Sequence, residues 1–419
     1  MPVVHSAFGY LLLLALAWLL GRRSRRLPWK TVVVATLLQV GVAGVLLRTG
    51  LRRVLFELIG TLTEVLQTTA LQANRSLLFV GVSNRRFTET YGPMIALEIM
   101  AILVFVAAVA RLLYHYGVLP WLIARLSRAM QALLGISAAE SVAVAANIFL
   151  GMTEAPLLVR PYVARMTESE LFCLMTAGLA TIAGTVMVLY ASMLQQAHPD
   201  IAGHLFTASL ISAPAAIAVA KLMVPETGVP ETAGKRVTLW REDTVNGIDA
   251  VTRGAAEGMQ LVINIIAMLI AFIGLVALCN WGIGALDRWV NGAQAGSWSL
   301  QAAAGWVFRP LVWLMGIPWS ETAPVAKLMG LKTILNEFVA YVELSALMRG
   351  PHPLSERHFL ITTYALCGFA NFGSVAILLG GVGGIAPSRR QDLARLGLLS
   401  LIGGTLATLL TGAVAGLYV

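Results

Sequence analysis

The sequence predicts an all-α polytopic membrane protein, with eight transmembrane helices and two re-entrant hairpins in an inverted repeat with broken helices. Three observations predict it: an apolar composition, apolar runs of spanning length, and two polar-centred stretches that repeat each other. Of 419 residues, 58% are hydrophobic and 12% charged, and the mean hydropathy is +0.78. A soluble domain carries about 25% charged residues, so lipid is the expected solvent. The net charge is +9. Its basic residues sit in short clusters between apolar runs, the pattern of cytoplasmic loops and not of a nucleic-acid surface. Cys173, Cys279 and Cys367 lie far apart without CxxC spacing, and the six histidines show no HExxH spacing. Neither a disulfide framework nor a zinc centre is expected.

The first apolar run, His5 to Gly21, is followed at once by Arg22-Arg23-Ser24-Arg25-Arg26. A signal peptide carries its basic residues before the apolar core, so this segment reads as a retained helix entering the membrane N-terminus-out. Runs of about 20 residues suffice to span. They occur at 5–21, 31–48, 94–118, 171–194, 203–224, 253–283, 356–380 and 394–417. An even count puts both termini on one side, opposite the basic clusters at 22–30, 123–128, 235–241 and 389–395. The positive-inside rule makes the cluster side cytoplasmic and the termini extracytoplasmic. Leu51 to Leu71 is of mixed character and reads as an interfacial helix. The region 51–90 carries Arg52, Arg53, Arg75, Arg85 and Arg86, although this topology puts it outside. Arg125 and Arg128 interrupt Leu119 to Leu134, which is expected along the cytoplasmic surface.

Two stretches break the spanning pattern. Ile136–Val163 contains Glu140, Asn147, Thr153, Glu154, Pro156 and Arg160; Ile317–Leu347 contains Glu321, Pro324, Lys327, Lys332, Asn336 and Glu337. Each is apolar enough to enter the bilayer yet polar near its middle, which fits a re-entrant hairpin whose tip is buried in protein or lines a watery cavity. The two also match each other. Gly135-Ile136, Glu140-Ser141 and Val144-Ala145 recur as Gly316-Ile317, Glu321-Thr322 and Val325-Ala326. With a two-residue slip, Thr153-Glu154 falls against Asn336-Glu337. The following span repeats as well: Gly178-Leu179-Ala180-Thr181 matches Gly368-Phe369-Ala370-Asn371, and Gly184-Thr185-Val186 matches Gly373-Ser374-Val375. Three spans separate the hairpins, so the second copy starts from the opposite face. Inverted repeats with broken helices are a recurring architecture of secondary transporters.

Glu154 and Glu337 carry the chemistry. A carboxylate at membrane depth is costly without partners or water, and such residues usually serve a function. A buried ion pair with Arg160 or Lys332 would account for one carboxylate but poorly for two at corresponding positions. If the hairpin tips approach, both glutamates with Thr153, Asn336, Asn371 and Ser374 make a hydrogen-bonding cavity. It would suit a polyhydroxylated solute, because a carboxylate accepts two bonds from a diol. Thr181-Ile182-Ala183-Gly184 and Asn371-Phe372-Gly373-Ser374 can unwind. The freed carbonyls would coordinate Na⁺ or a similar hard cation, and Asn147 could add an oxygen. Glycines such as Gly178 and Gly184 also serve plain close packing. Lys327 is expected to snorkel to the surface or to pair with Glu321.

The run from Asn147 to Pro161 resembles the first-hairpin signature of the concentrative nucleoside transporters. Gly330-Leu331-Lys332-Thr333 with Asn336-Glu337-Phe338-Val339-Ala340 resembles the second. Cys367 to Ser374 and Leu378 to Arg390 resemble the broken helix and the loop after it. The resemblance covers essentially the whole chain and is closest to the shorter bacterial members. It implies a nucleoside symporter of the bacterial inner membrane, a homotrimer whose scaffold surrounds transport domains that move across the bilayer. By position, Thr153 and Glu154 would face the nucleobase, Val186 and Phe369 would form apolar walls, and Glu337, Asn371 and Ser374 would hold the ribose. The cation, sodium or alternatively a proton, would sit among Asn147, the Leu150 carbonyl, Thr181 and the Ile182 carbonyl. Many members have Gln where Met152 stands, which changes what this position offers a base edge. The expected division is 1–134 (N-terminal spans and part of the scaffold), 135–224 (first repeat), 225–315 (loop and long scaffold span) and 316–419 (second repeat).

Two rivals keep some of these features. One is a nucleoside-responsive sensor or gated pore, since fold does not settle function. The other is a membrane enzyme using the two glutamates as acid and base, but no nucleophile–base pair or metal set is visible. The chain is therefore not expected to be an enzyme.

Overall fold

The computed structural model describes residues 2–22, 27–77, 95–239, 244–292 and 298–419, the side chains of 74–77 and 95–98 excepted. Arg85 and Arg86, Arg23 to Arg26 and the end of the 235–241 cluster lie outside these residues. Every regular element among the described residues is a helix. It opens with α1 (Pro2–Leu20), α2 (Trp29–Arg48) and α3 (Leu51–Leu77). A first series follows: α4 (Ile95–His115), α5 (Val118–Leu134), α6 (Ala138–Asn147), a short return arm of a 3-10 turn (Ala155–Val159) with α7 (Arg160–Val163), α8 (Glu168–Ala180), α9 (Gly184–Leu194) and α10 (Ile201–Met223). A second series repeats that order: α11 (Gly247–Asn291), α12 (Leu300–Leu314), α13 (Thr322–Ile334), α14 (Glu337–Arg349), α15 (Glu356–Leu366), α16 (Phe372–Ile385) and α17 (Arg390–Tyr418).

The repeat thus reaches further back than the hairpins. Each series begins with a long helix and a shorter one that leads into the hairpin. The counterpart of α5 is α12, a helix that sequence reading left inside the 225–315 stretch. Arg309 and Pro310 interrupt its apolar pattern, while Trp306 and Val307 are exposed.

By length and composition seven described helical stretches can cross a membrane, or eight when the bent pair α4–α5 counts as one. Two expectations change in detail. Leu51–Leu71, read as interfacial, belongs to a 27-residue helix whose first 23 residues are long and apolar enough to span. The break expected within the span at 356–380 falls at Cys367–Asn371, between α15 and α16, and not at Asn371–Ser374. α5 turns 73° from the axis of α4 at a left-handed Gly117 (φ +81°), which takes it off the spanning direction as its arginines require.

The glycine shared by the two hairpin entrances has a conformational cause. Gly135 (φ +67°) and Gly316 (φ +98°) both end the preceding helix in the left-handed region, where a side chain is strained. At Gly316 a Cβ would also stand 2.0 Å from Ser6 Oγ. The glutamate that follows in each repeat anchors the hairpin base. Glu140 pairs with Lys221 of α10 at 2.6 Å, both buried. Glu321 meets His358 of α15 at 2.7 Å. Of the two alternatives for Lys327, pairing with Glu321 or reaching the surface, the structure shows the second: Lys327 is exposed. Helices α8, α10, α15 and the C-terminal part of α17 are buried almost throughout and form the centre. The 45-residue α11, about 68 Å long at helical rise, stays largely on the outside and packs along α4.

Candidate functional site

Two breaks meet at the centre of the molecule. After α8, Thr181 leaves helical geometry (φ −117°, ψ 166°) and the chain stays extended to Gly184. In the second series α15 ends at Leu366, and Asn371 caps α16, its Oδ1 accepting from Ser374 N at 2.7 Å. The breaks touch: Phe369 N donates to Thr181 O at 3.3 Å. A Cβ on Gly368 would come within 2.9 Å of the Ala180 carbonyl oxygen, so a bare α-carbon is what admits this approach.

The hairpin tips close on the breaks. In the first, Gly184 N donates to Phe149 O at 3.1 Å, and a Cβ on Gly184 would crowd that oxygen at 3.0 Å. Asn147, the last residue of α6, is buried. Its Nδ2 donates to Ala143 O at 3.1 Å, while Oδ1 is buried without a hydrogen-bond partner among the described residues. Thr181 Oγ1 donates to Ala177 O at 2.9 Å and keeps its lone pairs free for a further donor or cation. Leu150 follows in the tip, and Ile182 lies in the break and is buried. Neutral oxygens of this kind suit a hard monovalent cation.

At the second tip Glu337 is buried, and both of its carboxylate oxygens are engaged. Tyr190 O–H donates to Oε1 at 2.7 Å, and Asn371 Nδ2 donates to Oε2 at 3.1 Å. Ser374 lies in the same first turn of α16. Lys332 is not Glu337's partner; its amine bonds the Ala365 carbonyl and Thr408. Glu337 therefore stands as an acceptor carboxylate held by neutral donors, which leaves lone pairs for hydroxyls.

Glu154 has a different setting. It is exposed, its Oε2 accepting from Gly151 N at 2.7 Å. It borders a cavity of about 350 Å³ between the first tip and helices α4 and α11, within the range of small-molecule sites. The tip contributes Phe149, Leu150, Thr153 and Glu154, and α9 contributes Thr185. Facing them are Arg111 and Tyr114 of α4 with Glu257, Gln260 and Asn264 of α11. Arg111 pairs with Glu257 at 3.2 Å.

Of the expected site residues, this cavity takes in Leu150, Thr153 and Glu154. Met152, Val186, Glu337, Phe369, Asn371 and Ser374 do not line it. Met152 is 8% exposed and packs its Cβ on Gly178 of α8, which Leu378 also approaches. The two groups still share a wall. A Cβ on Gly373, beside Ser374, would strike Met268 of α11, one helical turn beyond Asn264. Sequence reading missed Tyr190, Arg111 and the α11 residues. Glu257, Gln260 and Asn264 were visible as one polar face, at i, i+3 and i+7, on an apolar span. Tyr190's role depends on a contact across 147 residues, which no local pattern signals.

The chain matches three family models: "Na+ dependent nucleoside transporter C-terminus" over residues 204–416, its N-terminal counterpart over 8–75, and "Nucleoside recognition" over 96–197. An uncharacterized transporter of Haemophilus influenzae is 39% identical over 427 residues, covering 100% of this chain and 98% of the relative. The nucleoside permease NupC of Helicobacter pylori is 34% identical over 419 residues, covering 99% and 98%. Among solved structures, CNTnw in an inward-facing substrate-bound state is 38% identical, covers 100% of this chain and 98% of its own, and superposes with a TM-score of 0.89. A CNTnw variant in an outward-facing state gives 0.92 with the same identity and coverage. These relatives are transporters and not enzymes, which removes the acid–base enzyme reading. Multi-pass membrane architecture, hairpins, paired helix breaks and sequence along the full length agree: the chain belongs to the Na⁺-dependent nucleoside transporter family.

Proposed function

We propose that the chain is a cation-coupled symporter that imports nucleosides, with sodium as the coupling ion and an elevator-type alternating-access movement. The observation that carries this reading is Asn147 Oδ1, a buried oxygen without a hydrogen-bond partner among the described residues, beside a broken helix. A buried, unpaired amide oxygen costs stability unless something occupies it, and a sodium ion held by Asn147, the Leu150 carbonyl, Thr181 and the Ile182 carbonyl does so. The solute is a nucleoside whose base meets Thr153 and Glu154, with Met152 behind them and Val186 and Phe369 as apolar walls. Glu337, Asn371 and Ser374 take the ribose hydroxyls. Their mutual bonds hold the carboxylate in place before the sugar arrives.

In this reading α4 and α11 belong to the scaffold, and the hairpins and breaks move along it. The cavity between Glu154 and the Arg111–Glu257 pair lies on that sliding surface. Three copies assemble around the scaffold in a bacterial inner membrane, both termini extracytoplasmic.

Uptake of labelled uridine and adenosine into proteoliposomes tests the reading under an inward Na⁺ gradient, an inward proton gradient, or neither. Accumulation above equilibrium with Na⁺ alone is expected. Drive by protons alone would reject sodium and move coupling to a carboxylate. Equilibration without accumulation would reject the symporter for a gated pore or sensor.

A further inference from the structure

Tyr190 belongs to neither the solute set nor the cation set given above, yet it holds the carboxylate on which sugar recognition depends. Its hydroxyl donates to Glu337 Oε1 at 2.7 Å, and the residue is 1% exposed. Tyr190 lies on α9, the helix after the first break, while Glu337 opens α14, the second arm of the second hairpin. The contact therefore runs from one repeat to the other.

The phenol is a rigid donor. Its ring packs on Tyr341 of α14, centroids 4.5 Å apart and planes tilted by 31°. Tyr341 is itself pinned, its hydroxyl donating to Thr363 O at 3.0 Å. Three residues beyond Tyr190, Met193 O accepts from Ser345 Oγ of α14 at 2.8 Å. Helices α9 and α14 are thus joined at two levels, and the phenol cannot follow the carboxylate if it turns. Asn371 Nδ2 holds the other oxygen at 3.1 Å. With a donor on each oxygen the plane of the carboxylate is set, and its remaining lone pairs keep one direction.

The first hairpin offers the contrast. In the register that sets Gly184-Thr185-Val186 on Gly373-Ser374-Val375, Tyr190 corresponds to Leu379 of α16. Leucine has no donor to give. Glu154, the counterpart of Glu337, is exposed and accepts from Gly151 N of its own tip. One carboxylate is clamped by the opposite repeat, and the other is held locally.

We propose that Tyr190 sets the sugar selectivity of the site. It acts through Glu337 and not on the solute. It fixes the carboxylate so that two neighbouring hydroxyls are accepted at one angle and a sugar without them is refused. The proposal rests on the reading that Glu337 holds the ribose. Tyr190 is then a positioning residue, and a solute that offers Glu337 no hydroxyl is indifferent to it.

The experiment uses full-length protein in saturating Na⁺ and measures the affinities of uridine and 2′,3′-dideoxyuridine by competition with labelled uridine. Tyr190→Phe keeps the ring against Tyr341 and removes the donor. Uridine affinity should fall by roughly tenfold, the loss of one hydrogen bond to a charged group. Dideoxyuridine affinity should change by less than about twofold, the scatter between uncoupled sites. In a Glu337→Gln background Tyr190→Phe should likewise change uridine affinity by less than about twofold, because the carboxylate it positions is gone.

Equal losses for the two solutes would make Tyr190 a packing residue and overturn the proposal. So would an unchanged uridine affinity, or a loss in the Glu337→Gln background as large as in the wild type. If Tyr190→Phe does not fold, Tyr190→Leu, the residue of the corresponding position in the second repeat, takes its place under the same criteria. Failure of the ribose reading is separately visible, because the wild type would then bind the two solutes equally well.

Discussion

Glu337 is held at both oxygens by groups that only neutral chemistry supplies, a phenol and an amide. Glu337→Gln preserves its size but turns one acceptor into an NH₂ facing those donors and any ribose hydroxyl. A hydrogen bond to a charged group contributes about 1.5–3 kcal/mol. Apparent affinity for uridine should therefore fall by roughly 10- to 150-fold, with assembly unchanged by size-exclusion chromatography. Competition by 2′- and 3′-deoxyuridine gives the control: if they compete with wild type as well as uridine does, Glu337 does not hold the ribose. Met152 poses the opposite question. Its Cβ rests on Gly178, and Met152→Gln would put a polar amide at the edge of the tip. A shifted ratio of purine to pyrimidine uptake is expected, and identical ratios would leave Met152 a packing residue. The sequence showed the residues that must be polar at depth, but not who satisfies them. Lys332 was legible only as a candidate ion-pair partner for a buried carboxylate, while its actual acceptors, 33 and 76 residues away, were not.

At the scale of elements, the two glycines that open the hairpins differ in a way that can be measured. Gly135 and Gly316 are both left-handed, but only Gly316 has a neighbour in the way of a side chain. Gly135→Ala should cost about 1 kcal/mol, the price of left-handed geometry alone. Gly316→Ala adds the collision with Ser6 and should cost roughly 2–4 kcal/mol. Thermal unfolding in detergent compares them, and equal shifts would contradict the geometry. The hairpins and breaks were legible because helix-breaking residues recur in order in two places. α12 was not, since Arg309 and Pro310 hid a helix that its packing against α13 stabilises. Nor did α3 declare its length, because Thr and Gln along it are too polar for a clear span and too uncharged for a clear surface helix.

Taken whole, the molecule leaves α11 with a long apolar exterior, including Ile270, Leu278, Trp281 and Trp289. Lipid or a neighbouring copy must cover it. Native mass spectrometry should release an assembly of three 44.7 kDa chains; a single chain under gentle release would exclude the trimer. Ion and solute binding should also be reciprocal, each raising the other's affinity by the same factor. Uridine titrations with and without Na⁺, and Na⁺ titrations with and without uridine, check this, and independent curves would refute coupling at equilibrium.

The single hydrogen bond from the Phe369 amide to the Thr181 carbonyl joins the two oppositely oriented halves where each has given up its helix. Neither half can straighten without tugging the other. On one side of that stitch lies Thr181, proposed above to meet the cation, and two residues along on the other lies the asparagine that grips Glu337. Under the proposed symport the bond would act as an interlock, and a carrier loaded with only one passenger would settle only one of its two breaks.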